Sequence, residues 1–147
     1  MCRPHACAFS AAILPRTHMS TYRDLLVWQK SRVLTKEIYT LTAGFPRSEM
    51  FGLVSQMRRA ATSIMCNLAE GQGRRSARDQ VHFYYIARGS LLELETQIFI
   101  SVDLGYVESR NSEMRLRQTE EIGRMLNGLI RRISNRESEA RGPRPEA

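Results

Sequence analysis

The sequence predicts an all-α protein, an antiparallel up-down four-helix bundle. Three observations carry this expectation. Proline occurs only at Pro4, Pro15, Pro46, Pro143 and Pro145, so residues 47–142 contain none, as long helices require. Apolar residues recur at spacings of three and four, the repeat of one helical face, and strand-like alternation is absent. Four such stretches are joined by short segments, and helices joined by short loops pack as antiparallel neighbours.

The first helix is expected from about Tyr22 or Arg23 to Ala43. Val27, Leu34, Ile38 and Leu41 lie on one face, which Phe45 extends, and Gly44 and Pro46 end the helix. The second is expected from near Ser48, a candidate N-cap, to Gly71. Its stripe is Val54, Met57, Ala61, Ile64 and Leu68, a narrow heptad seam. Cys66 reads there as a buried small hydrophobe. The third is expected from Ser76, with Asp79 three residues on as an imperfect capping box, to Gly105. Its stripe is Tyr84, Ala87, Leu91, Leu94, Ile98 and Val102. At roughly 30 residues it would be about 45 Å long. The fourth is expected from about Ser112 to Asn135, with Ile122, Leu126, Leu129 and Ile133 inward. From Arg136 the chain is polar and proline-bearing, and is expected to fray.

At 147 residues the chain is one domain with room for a core. The expected division is a disordered extension at 1–18, a bundle at 19–136 and a disordered tail at 137–147. Ordered pattern begins at Met19, and residues 1–18 read as an upstream extension ahead of it. No apolar run reaches the ~20 residues of a membrane span. Cys2, Cys7 and Cys66 are an odd set, which fits reduced thiols in a cytoplasm. Cys2, His5 and Cys7 lack a second ligand pair, so no metal site is expected.

A second apolar surface lies off the main stripes. Val81, Tyr85, Leu92 and Phe99 form it on the third helix, and Phe51, Ala60 and Met65 on the second. Apolar coverage wider than one stripe points to subunit contacts, although a broad inward stripe would look the same.

The chain carries 22 Lys+Arg against 15 Asp+Glu, a net charge of +7, and Lys30 and Lys36 are its only lysines. The planar guanidinium binds two phosphate oxygens at once, so an arginine-rich surface points to a polyanion, foremost nucleic acid. A GC-rich genome writing Arg for Lys is the competing explanation. Arg74, Arg75 and Arg78 cluster where the third helix begins, and a helix N-terminus already favours anions. Gly71 and Gly73 would let backbone approach a phosphate. Arg58 and Arg59 point about 100° apart. Phosphate contact competes there with an ion pair to Glu70, Glu93 or Glu95. Arg58, Arg59, Arg74, Arg75 and Arg78 are therefore the candidate nucleic-acid-binding residues. The arginines of the last helix read mostly as ordinary surface pairing with Glu113, Glu120 and Glu121.

No catalytic constellation appears. His82 has no Cys, Asp or second His spaced to join it, and reads as a packed histidine. Ser55, Ser63 and Ser90 lack a nucleophile elbow, and Gly71-Gln-Gly lacks the lysine of a phosphate-binding loop. Glu93 and Glu95 face different ways, and no Glu-x-x-His is present for a di-metal site. The expectation is a binding protein that is not an enzyme and takes no cofactor.

Specific stretches carry a family resemblance. They are YRDLLVWQKS at 22–31, LTAGFPRSEMFGLVSQMRRAATSIMCNLAEGQGR at 41–74, HFYYIARGSLLELETQIFISVDLGYV at 82–107 and, more loosely, EEIGRMLNGLIRRI at 120–133. The chain resembles the bacterial four-helix-bundle family encoded in intervening sequences of large-subunit ribosomal RNA genes. It is also similar to the accessory variability determinant of diversity-generating retroelements. The resemblance implies a barrel-like homopentamer with a basic surface, sequence-independent nucleic-acid binding and, as in the retroelement relatives, a reverse transcriptase as protein partner. A protein-interaction scaffold with no nucleic-acid role is the alternative. The family usually has proline and serine where Met65 and Cys66 stand, so this second helix is expected to be straighter.

Overall fold

The computed structural model describes residues 21–141. The expected extension at 1–18, with Cys2, His5 and Cys7, and the tail from residue 142 lie outside the described residues. Four helices are present, and no strand occurs among the described residues. They are α1 (Leu26–Thr42), α2 (Leu53–Gln72), α3 (Ala77–Asp103) and α4 (Ser109–Arg141). Each packs on its chain neighbours, α4 returns to α1, and the backbones of the two diagonal pairs do not approach closely. The α2–α3 contact is the most extensive.

Cross-helix bonds show the antiparallel register. Thr42 of α1 meets Arg58 of α2, while Thr35 meets Ala61 and Met65. Ser63 meets Ser90 of α3 at 2.8 Å, and Gln72 meets Tyr84 at 3.0 Å. Lys30 pairs with Glu121 of α4 at 2.9 Å, while Glu37 lies 3.7 Å from Arg115. The up-down order thus gathers the start of α1, the end of α2, the start of α3 and the far part of α4 at one end.

The inward stripes of α1 to α3 are buried except at Leu41 and Val102, which are partly covered. Val27, Leu34 and Ile38 are buried, as are Val54, Met57, Ala61, Ile64 and Leu68, and Tyr84, Ala87, Leu91, Leu94 and Ile98. On α4, Ile122 and Leu126 are buried, but Ile130 takes the next core position while Leu129 and Ile133 are only partly covered. The cause is where α1 starts. Leu129 lies beside Leu25 and Leu26, where α1 begins, so beyond it α4 has no α1 to pack against.

Several local expectations are corrected. A 3-10 turn at Tyr22–Asp24 precedes α1, which starts later than expected. Ser48 is not the N-cap of α2, because a 3-10 turn at Arg47–Glu49 intervenes and Gly52 holds that position. Glu49 satisfies the helix start instead, its carboxylate accepting the Leu53 N–H at 3.1 Å and the Tyr106 hydroxyl at 3.2 Å. Ala60 is buried rather than outward. Cys66 and His82 are exposed rather than packed. Each stands two residues from a core position, Ile64 and Tyr84, and two helical steps turn a side chain by about 200°. The 27 residues of α3 are exceeded by the 33 of α4, which continues helically through residues 136–141, where fraying was expected. Those residues contain no proline or glycine before Gly142.

Gly71 has a packing role. It is buried inside α2, and a β-carbon there would sit 2.7 Å and 2.9 Å from ring carbons of Tyr84. Tyr84 cannot retreat, being fully buried, with its hydroxyl donating to Gln72 Oε1 and accepting from Gln80 Nε2, both at 3.0 Å. Burial pushes the Tyr84 hydroxyl pKa up, so it stays a neutral donor. Replacing glycine by alanine inside a helix ordinarily gains up to about 1 kcal/mol. Gly71→Ala is expected instead to lose about 1–3 kcal/mol through overpacking, read as a lower urea midpoint. An unchanged or higher midpoint would show that Tyr84 can shift.

Candidate nucleic-acid interface

The five candidate arginines do not form one patch. Arg58 and Arg59 lie in the middle of α2, and fifteen helical steps separate Arg59 from Arg74, roughly 22 Å. Arg58 is half-buried and serves packing. Its Nε donates to the Thr42 hydroxyl at 2.8 Å, and its guanidinium lies 4.8 Å from the Tyr39 ring centre. Arg59 projects outward and reaches Glu93 of α3 at 3.8 Å, with 76% of its side chain exposed. Such an exposed pair contributes little to stability.

The α2–α3 turn is built from both helix ends. The Gly73 N–H bonds back to Ala69 O at 3.2 Å and Glu70 O at 3.1 Å, closing α2 in right-handed geometry. Ser76 caps α3, its hydroxyl accepting the Asp79 N–H at 3.0 Å, as the sequence predicts. Gly71 faces Tyr84 and is therefore not the phosphate-approach glycine expected. Arg74 is committed to the fold, paired with Glu70 and stacked 4.3 Å from the Phe83 ring centre. Arg75 and Arg78 are exposed, and neither has an ion-pair or hydrogen-bond partner among the described residues. They stand at the positive end of a 27-residue helix dipole.

The outer face of α3 continues from there. Arg78, His82, Tyr85, Gly89, Leu92, Thr96, Phe99 and Asp103 follow at alternating spacings of four and three, and all are exposed. Tyr85, Leu92 and Phe99 are each about half exposed, at 52%, 53% and 51%. Ile86 and Ile100 widen this stripe, and Phe51, 95% exposed, adds an apolar knob ahead of α2. Of the last-helix arginines, Arg117 and Arg124 pair with Glu113 and Glu120, and Arg115 reaches Glu37 on α1. Among the described residues, no group of three His, Cys, Asp or Glu could hold a metal ion, and no helix is long and apolar enough to cross a membrane.

Residues 23–128 match the 23S rRNA-intervening sequence protein family. The chain belongs to that family. Among solved structures it is similar to a protein of unknown function from the S23 ribosomal protein family of Bacteroides thetaiotaomicron VPI-5482. The two share 23% identity at a TM-score of 0.65, over 71% of this chain and 98% of the other. That likeness shows the fold alone. Comparison with curated proteins finds no match. The family membership agrees with the four sequence stretches that carry the resemblance.

The two central arginines are expected to separate cleanly on substitution. Arg58→Ala leaves Thr42 without its donor and removes the contact with Tyr39, a loss of about 1–2 kcal/mol. Arg59→Ala should stay within about 0.5 kcal/mol of the parent. Chemical unfolding of both variants checks this, and equal losses would show that Arg58 is not the structural one.

Proposed function

We propose that this chain is a non-enzymatic, oligomeric nucleic-acid-binding protein of the cytoplasm. In this reading it contacts phosphates through Arg75 and Arg78, with Arg74 as a braced neighbour and Arg59 as an outlying contributor. The observation that carries the reading is the pair Arg75 and Arg78, exposed and unpartnered among the described residues beside the N-terminus of α3. Guanidinium groups and a helix N-terminus attract the same ligand, an anionic oxygen cluster. Backbone contacts of this kind are sequence-independent.

The proposed assembly is the barrel-like homopentamer that the family resemblance implies. The outer row of Tyr85, Leu92 and Phe99 supports it, since large apolar side chains recurring on one exposed helix face favour burial against another subunit. A ring would repeat the arginine pair on each subunit and raise affinity by avidity. An accessory role beside an RNA or a reverse transcriptase follows from the same resemblance. The same stripe also favours a second reading, a scaffold that docks a different protein.

Two measurements test these proposals. Light scattering on the parent should report five chains per particle, and Leu92→Glu combined with Phe99→Glu should give helical monomers. A parent that is monomeric, or a double variant that still assembles, would remove the stripe as the subunit contact. For nucleic acid, log affinity for duplex should fall with log salt by about 0.9 per phosphate contact. Arg75→Ala with Arg78→Ala should weaken binding to all sequences alike and flatten that slope. Unchanged affinity in this variant would move the site, and a parent with no salt-dependent binding would favour the scaffold.

A further inference from the structure

The start of α1 bears a concavity separate from the α2–α3 turn. It has a volume of about 610 Å³ and is lined by Tyr22, Arg23, Trp28, Gln29, Arg32 and Val33. That volume lies within the about 300–1,000 Å³ of small-ligand sites. Trp28 is the only tryptophan in the chain. Its ring meets Tyr22 edge to face, with centroids 5.2 Å apart and planes at 69°. The Arg23 guanidinium lies 5.6 Å from the Tyr22 ring centre, and that of Arg32 5.9 Å from the Trp28 ring centre. Gln29 Nε2 donates to Arg23 O at 2.8 Å, which fastens the 3-10 turn to the first turn of α1.

The charge is one-sided. No carboxylate is among the lining residues, and neither Arg23 nor Arg32 makes an ion pair with a described residue. Asp24, the nearest acid in sequence, accepts the Thr21 N–H at 2.7 Å within its own turn. α1 begins at Leu26 without a side-chain cap, so the positive end of its dipole adds to the same field.

We propose that this concavity holds one unpaired nucleotide of a single-stranded nucleic acid. The base stacks on the Trp28–Tyr22 pair, and its phosphate lies between Arg23 and Arg32. Aromatic faces beside guanidinium groups suit a base and its phosphate together, and only an unpaired base can leave its own stack to reach them. An acidic peptide would satisfy the two arginines and leave the indole without a partner. The 3-10 turn packs on α2 as well as α1, which sets the concavity at the bundle end that carries Arg75 and Arg78. The inference rests on the nucleic-acid reading for its partner, but not on those two residues.

The test uses the full chain and a short, fluorescein-labelled RNA of mixed sequence, alone or annealed to its complement. Anisotropy reports binding anywhere on the protein, and intrinsic fluorescence reports Trp28 alone. The single strand is expected to quench Trp28, and the duplex to bind without quenching. Arg23→Ala with Arg32→Ala should weaken single-strand binding about tenfold and duplex binding severalfold less. Trp28→Phe should retain single-strand affinity, whereas Trp28→Leu should lose about tenfold. The arginine variant keeps the test sharp if Trp28→Leu unfolds on circular dichroism. Binding by anisotropy without quenching, equal quenching by duplex, or an unaffected arginine variant would overturn this site and leave the general reading standing. No anisotropy change with either RNA would overturn both.

Discussion

The contact between Gly71 and the Tyr84 ring is the constraint on which the rest of the structure depends. Tyr84 fills the space that any larger residue at Gly71 would need, and its hydroxyl holds Gln72 and Gln80. One side chain thereby fixes where α2 ends and how α3 departs. The turn between them can then be short, and Arg75 and Arg78 stand where α3 begins. α2 and α3 form the most extensive helix pair, and α1 packs on α2 while α4 packs on α3.

α3 serves two surfaces with one sequence. Tyr84, Leu91, Leu94 and Ile98 face the core, while Tyr85, Leu92 and Phe99 lie outward, mostly one residue later. The two lines lie about 100° apart on the helix, and the described residues cover only the first of them. The outer line runs from basic Arg78 through the apolar middle to acidic Asp103, so it also has a direction.

What could be read from the sequence was local. The three-four spacing found the core of α1, α2 and α3, and Ser76 with Asp79 marked the α3 cap within a single turn. What escaped was set by residues far along the chain. Glu49 rather than Ser48 serves the start of α2, and its carboxylate is shared with Tyr106, 57 positions away. Gly71 resembled a phosphate-approach glycine because the ring it accommodates lies on the next helix. Arg58 resembled a phosphate ligand because Thr42 and Tyr39 belong to α1. Ile130 replaced Leu129 in the core because α1 begins beside it, which no periodicity within α4 records. The candidate arginines were visible as a set, but their division into braced and open members was not.

The up-down order has a kinetic consequence. It brings the α1 start, with Arg23 and Arg32, to the same pole as the α2–α3 turn, with Arg75 and Arg78, and none of the four makes an ion pair among the described residues. Exposed arginines gathered at one pole make the charge distribution uneven and give the molecule an electric axis. A polyanion approaching from solution exerts a torque on that axis and turns the pole toward itself before contact. In the proposed nucleic-acid reading, the geometry acts on the encounter rate first. Added salt would slow arrival, and residence time would depend on the short-range contacts made afterwards.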